Sequence, residues 1–306
     1  MTAHAEVLVI GDYFLDVVIA GLPGWPEPDS EVFGDLLTTV PGGAYTHTLA
    51  LHRLGVKVHW LAEFGNDLQS TQVRAAARAE GLDPAQWVYH DGPVRNLTLA
   101  ISHGGNRGFV SYREPRPLLP AAAAIQASRP RVVLLPQLVW GEPAADVLDA
   151  ADQVGAEVLM DCQHTTATLA TPGVVATLRR VHVFAPNAAE ARRLTGMREL
   201  AKATRALGQI VPTVVIKDGP RGARAIHKGT VVQAPTLPVA TVDTTGAGDC
   251  FVAGLLFGRL NGYPLTDCLR LANACGALST TGYGSTATPT LAQLAAATST
   301  LLDGSS

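Results

Sequence analysis

The chain has 306 residues, of which 47% are hydrophobic and 16% are charged, and its formal net charge is −3. This composition excludes a disordered or strongly basic chain, so we expect no nucleic-acid partner. The length suits a large buried core, and we interpret residues 1–306 as one α/β domain.

Neither the first residues nor the apolar runs indicate a targeting or membrane segment. The amino terminus lacks a cationic start and carries Glu6 and Asp12, which argues against a signal peptide. No uncharged apolar run reaches the length of a membrane span. The four cysteines form no CxxC pair and no zinc spacing, which favours reduced, packed thiols. We therefore expect a cytoplasmic protein without a membrane partner.

In chain order, the first half is predicted to mix short strands with two helices. The helices run from the glycine pair 42–43 to Gly55, and from Asp67 as N-cap to Gly81. A loop rich in Pro and Gly covers 22–30. The predicted strands are Glu6–Gly11, Val17–Ala20, Val32–Thr38, Val58–Phe64 and a hairpin of Leu97–Ser102 with Phe109–Tyr112. Two insertions, 13–37 and 94–116, are predicted to form a small β lid.

The second half alternates short apolar runs with helix-length segments. The runs are VVLLP, EVLMD, VHVFAP and TVVIK, all after Arg131. Such alternation predicts a mostly parallel sheet with helices on both faces, which is a three-layer α/β/α fold. Two long helices are predicted at Thr245–Leu260 and Leu265–Thr281, and an amphipathic closing helix at Leu291–Leu302.

The segment VDTTGAGDCFVAG, residues 242–254, carries the strongest functional signal. Gly246, Ala247 and Gly248 allow a tight turn and a close backbone approach to a ligand. Asp249 then falls in the first turn of a helix, beside free N–H groups that favour a phosphate. A carboxylate there is placed to accept a proton from a hydroxyl that attacks a phosphoryl group. A short GxGD pattern alone would indicate only a first-turn helix residue, but the longer string is more specific.

This string resembles the signature of the ribokinase-like, phosphofructokinase-B family of carbohydrate and nucleoside kinases. Further segments resemble family motifs in the same order: GDYFLD at 11–16, PGG at 41–43, FGND at 64–67, APNAAE at 185–190 and KDGPRG at 217–222. The resemblance covers nearly the whole chain and implies an ATP-dependent kinase of a sugar-like or nucleoside-like hydroxyl. No GxxxxGK[ST] segment and no GxGxxG after the first strand are present, which excludes a P-loop kinase and disfavours a dinucleotide-binding enzyme.

The resemblance also implies roles for single residues. Asp249 would be the catalytic base, and the backbone of 246–248 would stabilise the developing charge. The substrate-binding residues would be Asp12, Asp16, Gly42, Gly43, His47 and Arg113. ATP would be bound by Asn187, Lys217, Gly219, Gly222 and Asn273, although an asparagine in a helix is more often solvated or capping.

Two cation sites follow from the resemblance. Asn187 and Glu190 are three residues apart at the start of a helix and would organise Mg²⁺, largely through water. The alternative is that Glu190 only stabilises the helix amino terminus. A K⁺ site is implied at Asp243, Thr245, Ser279, Gly282, Gly284 and Thr288, where the alternative is a turn capped by Asp243.

The substrate is left open by two departures from the pattern of ribose-specific members. Those members have asparagines at the positions of Phe14 and His47, and phenylalanine cannot hydrogen-bond a hydroxyl. Arg113 has two equally weighted interpretations: it contacts an acidic or phosphorylated substrate, or it is a solvated lid residue. A nucleoside kinase and a non-catalytic sugar or nucleotide sensor remain alternatives, and a homodimer through the lid is compatible with the resemblance.

Overall fold

The computed structural model describes residues 5–104, 106–116 and 119–302, and in it the strands form one large and one small sheet. The strands are β1 (Val7–Ile10), β2 (Tyr13–Ala20), β3 (Leu36–Gly43), β4 (Val58–Phe64), β5 (Trp87–Tyr89), β6 (Leu97–His103), β7 (Asn106–Tyr112), β8 (Val132–Leu135), β9 (Glu157–Asp161), β10 (Val183–Ala185), β11 (Thr213–Lys217), β12 (Ala223–His227) and β13 (Thr230–Ala234). The helices are α1 (Ala44–Arg53), α2 (Leu68–Ala79), α3 (Ala121–Ser128), α4 (Glu142–Val154), α5 (Val174–Leu178), α6 (Ala188–Thr195), α7 (Leu200–Gly208), α8 (Ala247–Leu260), α9 (Leu265–Ser279) and α10 (Leu291–Leu302).

The large sheet has nine strands in the order β13-β12-β11-β10-β9-β8-β1-β4-β5. All its pairs are parallel except β11 with β12 and β12 with β13. Alternate strand residues face opposite layers, as a period of two requires. Val7 and Val9 pack into the core that contains α1, α8 and α9, whereas Leu8 and Ile10 pack into the core that contains α3, α4 and α7. The predicted three-layer α/β fold with a mostly parallel sheet is therefore confirmed.

The second sheet is small, with strand order β3-β2-β6-β7, and three of its four strands come from the segments predicted to form a lid, whose name is kept here for this sheet and those segments. The predicted hairpin is present as β6 and β7, although β7 begins at Asn106 rather than Phe109, and the first two strands also differ. The predicted strand Val17–Ala20 begins earlier, at Tyr13, and the predicted strand Val32–Thr38 is wrong because β3 covers Leu36–Gly43. β3 is an edge strand, and an edge tolerates Pro41, whose missing N–H removes no ladder bond.

Local helix signals are accurate to one or two residues. The side chain of Asp67 caps α2 by accepting from Ser70 N, as predicted. The helix predicted at Thr245 begins at Ala247, because Gly246 takes the left-handed conformation with φ 77° and acts as its N-cap. The four cysteines are free and buried. Within the described residues, none of the helices combines the length and the apolar character that crossing a bilayer requires.

Candidate active site

The site is built where the carboxyl ends of the parallel strands meet, which is the usual ligand edge of such sheets. There the 246–248 turn leads into α8, and Asp249 is the third residue of that helix. A Cβ at Gly248 would lie 3.3 Å from Lys217 Nζ, so the turn passes directly over the end of β11. The first N–H groups of a helix have no intrahelical partners, and this turn therefore offers donors to an anion.

A chain of charged side chains continues from Asp249 into the protein. His47 Nε2 lies 3.6 Å from Asp249 Oδ1 and 3.4 Å from Asp161 Oδ2. Asp161 Oδ1 in turn accepts from Lys217 Nζ at 2.6 Å. His47 is completely buried, whereas the Asp249 side chain is 25% exposed. The carboxylate of Asp249 is therefore the most exposed member of this network, and Lys217, at 12%, is the next.

Burial and mutual charge set the protonation of this network. Burial raises the pKa of Asp249, and the neighbouring His47 opposes part of that rise. Burial also acts to raise the pKa of Asp161, but Lys217 and His47 outweigh it and the net direction is down. For His47 and Lys217 burial acts to lower the pKa, and the carboxylates around them reverse the direction. A poised carboxylate beside an anion-binding turn suits proton abstraction.

Asp16 lies on the lid side of the same centre. Its carboxylate fills the space beside Gly42, where a Cβ would overlap it. Gly43 has φ 66° and serves as the N-cap of α1, and a Cβ there would press on Phe14. Burial, with a contribution from the charge of Asp249, raises the pKa of Asp16 to about 7. The glycine pair thus makes room for a buried carboxylate close to Asp249.

Asp12 and Arg113 line a neighbouring cavity of about 390 Å³. Arg113 Nε lies 2.6 Å from Asp12 Oδ2, and Arg116 Nη2 lies 3.6 Å from Asp12 Oδ1 and 3.2 Å from Glu63 Oε2. Each arginine is thus matched by a carboxylate. This pairing leaves less positive charge for an acidic substrate than the sequence alone suggests.

Four of the five residues predicted to bind the nucleotide line one cavity of about 630 Å³, and Asn187 is not among its lining residues. Lys217, Gly219, Gly222, Asn273 and the first turn of α8 all contribute to it. The Asn273 side chain donates from Nδ2 to the carbonyl oxygens of Ala234 and Pro235, at 2.9 and 3.0 Å. Asn273 is therefore buried and holds the backbone just before the cavity-lining segment 236–239, so it is neither the solvated nor the capping asparagine of the alternative.

Asn187 and Glu190 lie at the start of α6 and form a reciprocal capping box. Asn187 Oδ1 accepts from Glu190 N at 2.9 Å, and Glu190 Oε2 accepts from Asn187 N at 2.7 Å. Burial raises the pKa of Glu190 to about 7, with Lys217 opposing. Glu190 therefore stabilises the amino terminus of α6, and this contact uses one of its two carboxylate oxygens.

Of the residues predicted for K⁺, Thr245 and Gly284 contact the Asp243 carboxylate, and a lid arginine also meets it. Arg107 Nη1 lies 3.0 Å from Asp243 Oδ1 and 2.7 Å from Thr245 Oγ1. Gly284 N donates to Asp243 Oδ2 at 2.8 Å, and Thr245 N donates to Oδ1 at 3.0 Å. The hydroxyl groups of Ser279 and Thr288 donate to the carbonyls of Gly276 and Ser285. The predicted Gly282 lies in the same 279–288 segment.

A sequence model of the pfkB family of carbohydrate kinases matches residues 5–291. The chain belongs to this family. Acarbose 7(IV)-phosphotransferase of Actinoplanes sp. is 31% identical over 309 residues, covering 92% of this chain and 94% of the relative. Ribokinase of Bacillus subtilis is 27% identical over 285 residues, covering 91% and 94%.

Solved structures share the pfkB-family fold over nearly their whole length. Arabidopsis thaliana ribokinase, complexed with ribose and ATP, superposes with a TM-score of 0.81 at 20% identity, over 96% of this chain and 98% of that one. An Escherichia coli protein described as a ribokinase II, in complex with ATP and Mg²⁺, gives a TM-score of 0.78 at 19% identity, over 97% and 99%.

Two residues of this pfkB-family site were not predicted from the sequence. Asp161 anchors both His47 and Lys217, and its place at the carboxyl end of the run EVLMD was a usable signal. Arg107 reaches Asp243 across 136 residues of sequence. A hairpin turn near Arg107 gave no indication of that partner.

Proposed function

We propose that this protein transfers the γ-phosphoryl group of ATP to a hydroxyl group of a sugar or sugar-like small molecule. The observation that carries the proposal is the position of Asp249. Its helix begins at the wall of the 630 Å³ cavity, and its carboxylate faces His47. The charge of that carboxylate also contributes to the raised pKa of Asp16. One residue thus stands between a nucleotide-sized cavity and a buried polar site under the lid.

In the proposed reaction Asp16 accepts a hydrogen bond from a substrate hydroxyl and orients the sugar. The attacking hydroxyl gives its proton to Asp249 as its oxygen bonds to the γ-phosphorus. The bond from that phosphorus to the β–γ bridging oxygen breaks, and ADP leaves with its electron pair. The backbone N–H groups of 246–248 stabilise the developing charge, which is usually the largest contribution to such catalysis.

The residues of the α6 amino terminus fit a Mg²⁺ ion bound through water. Glu190 is a buried carboxylate with one oxygen used by the capping box, and a nearby cation would favour its ionised form. Mg²⁺ would be organised near Asn187 and Glu190 and would neutralise the phosphate oxygens of ATP. The related structure solved with ATP and Mg²⁺ supports this cofactor pair.

The experiment is a screen of ADP release with ATP, Mg²⁺ and a panel of D-ribose, D-fructose, D-glucose, sugar acids and nucleosides. We expect ADP release that depends on at least one sugar, with a matching phosphomonoester found by mass spectrometry. A nucleoside kinase would instead give its best turnover with a nucleoside. A sensor would bind ligands, detected by thermal shift, and would release no ADP.

The K⁺ site stays a prediction. A site formed by Asp243, Thr245 and the 279–288 segment would share its carboxylate with Arg107. We therefore expect only a small difference between rates in K⁺ and in tetramethylammonium at equal ionic strength. Identical rates would argue against a functional ion.

A homodimer through the lid also stays a prediction, as do the cytoplasmic location and the lack of a nucleic-acid partner. Large apolar side chains on the lid are exposed, among them Phe33, Leu37, Phe109, Val110 and Tyr112. Burying such a patch is a common reason for association. Light scattering at several concentrations tests it, and a monomer at all of them would contradict it.

A further inference from the structure

The side chain of His47 is too deeply buried to contact a sugar directly. It lies on α1, its side chain is 0% exposed, and Nε2 points between two carboxylates. The other ring nitrogen, Nδ1, is buried and has no hydrogen-bond partner among residues 5–104, 106–116 and 119–302. The polar contacts of His47 are therefore directed at Asp161 and Asp249 through a single nitrogen.

Asp161 is a fixed anchor for that nitrogen. Its Oδ1 accepts from Lys217 Nζ at 2.6 Å and from Cys162 N at 2.7 Å. These two bonds orient the carboxylate and leave Oδ2 directed at His47 Nε2. The buried ion pair of Asp161 and Lys217 thus holds the imidazole through Nε2. The same nitrogen lies 3.6 Å from Asp249 Oδ1.

We propose that His47 is a positioning residue that acts through Asp249: Nε2, hydrogen-bonded to Asp161, holds the imidazole 3.6 Å from the carboxylate of the base as its ion-pair partner. This inference rests on the proposed function, because it assigns a role within the same site. The imidazole transfers no proton to the substrate. It fixes the orientation of Asp249 and supplies positive potential beside it.

The geometry separates this role from direct sugar binding. A residue that bonds the sugar raises the KM for the sugar when it is removed. A residue that orients the base lowers kcat and leaves both KM values nearly unchanged, because ground-state binding is intact. A misplaced catalytic group costs on the order of 10²-fold in rate.

The charges around His47 also set the direction of a pH effect. The groups that face it are Asp161, Asp249 and Lys217, and on the lid side the charge of Asp249 contributes to the raised pKa of Asp16. Because His47 opposes the burial that raises the pKa of Asp249, its removal raises that pKa further. The base works when ionised, so the acidic limb of the kcat/KM profile moves to higher pH.

The kinetic test uses His47→Leu, His47→Gln and the matched control His52→Gln on the same helix. Each is assayed with ATP and the best sugar of the panel. We expect His47→Leu to lower kcat about 10²-fold, with KM values within about threefold and the acidic limb shifted upward. His47→Gln places an amide N–H near the Nε2 position and restores most of the rate, and His52→Gln matches the wild type. A raised sugar KM with kcat retained would overturn the proposal.

A second measurement needs no substrate and does not depend on the His47→Leu variant, which places an apolar side chain in a buried polar site. Proton–nitrogen spectra of the ¹⁵N-labelled protein report the protonation of the His47 ring, assigned by its loss in His47→Gln. We expect its pKa to fall in both Asp249→Asn and Asp161→Asn. An unchanged His47 signal in Asp249→Asn contradicts the contact, even if the wild type proves to be an active kinase. If the coupling is present but no sugar is phosphorylated, the proposed function fails and the contact stands.

Discussion

The nucleotide side and the sugar side of this site are built by different means. On the proposed nucleotide side the cavity wall includes glycines 219, 222 and 248, and Gly246 caps the helix that begins there. On the proposed sugar side the structure depends on side chains that are paired with partners far along the chain. His47 pairs with Asp161 and Arg107 pairs with Asp243. Short motifs therefore predict the first side well, whereas the second depends on tertiary contacts.

Among the changes that compare the two sides, the largest effect is expected for the backbone turn. Gly246 has φ 77°, and a Cβ there would lie 3.0 Å from Thr46 Cγ2. Gly246→Ala should distort the anion-binding turn and lower kcat/KM about 10²-fold, as loss of an oxyanion donor does.

The matched control for that change is Gly262→Ala. Gly262 has φ 76°, but a Cβ there meets nothing within 4 Å, so it carries the same strain far from the site. We expect its stability to fall and its kcat/KM to stay near the wild-type value. Equal activity of the two variants would contradict the role of the turn.

The second prediction concerns the sugar side and places D-ribose low in the panel. Phe14 offers no hydrogen bond, and His47 is committed to carboxylates. A hydroxyl left unpaired in a buried site costs about 1–3 kcal/mol, which is roughly 10–100-fold in kcat/KM. Ranking the panel by kcat/KM checks this. Phe14→Asn should narrow the gap for ribose, and a panel led by ribose would refute the interpretation.

A smaller effect is expected at the contact between the lid and the 243–245 turn. Arg107→Ala frees the Asp243 carboxylate, so a cation in solution can then take the place of the guanidinium. We expect rates to become a few-fold more dependent on K⁺ relative to tetramethylammonium. Arg95→Ala removes a lid arginine paired with Glu114 and serves as the control. No change in cation dependence would count against the shared carboxylate.

The smallest effect is on stability. Burial raises the pKa of Asp16 from 3.8 to about 7, so the folded protein carries a penalty that is absent below pH 3.8 and complete above pH 7. Asp16→Asn removes that penalty and should raise Tm by several degrees at pH 8.5 and by little near pH 4. Asp35→Asn, an exposed lid carboxylate, is the control. A Tm gain that is equal at both pH values would contradict the assignment.

The sequence predicted the elements whose signals are local. The parallel strands, the Asp67 cap and the α8 start follow from apolar runs and helix-end residues. The β3 strand was misplaced because 41–43 contains a proline and two glycines, which only an edge position tolerates. The strand-end position of Asp161 marks it as a site candidate, but its pairing with His47 has no local signal, since the two lie 114 residues apart and are brought together by the sheet order.

The role of Asp249 is the central claim, and a single-turnover transfer of γ-labelled phosphate from ATP tests it most directly. With excess enzyme and the best sugar, the wild type should move the label to the sugar. Asp249→Asn should slow that transfer by about 10²–10⁴-fold while ATP affinity, measured by calorimetry, changes little. Near-normal transfer in the variant, or label released as inorganic phosphate by the wild type, would contradict Asp249 as the base of a sugar kinase.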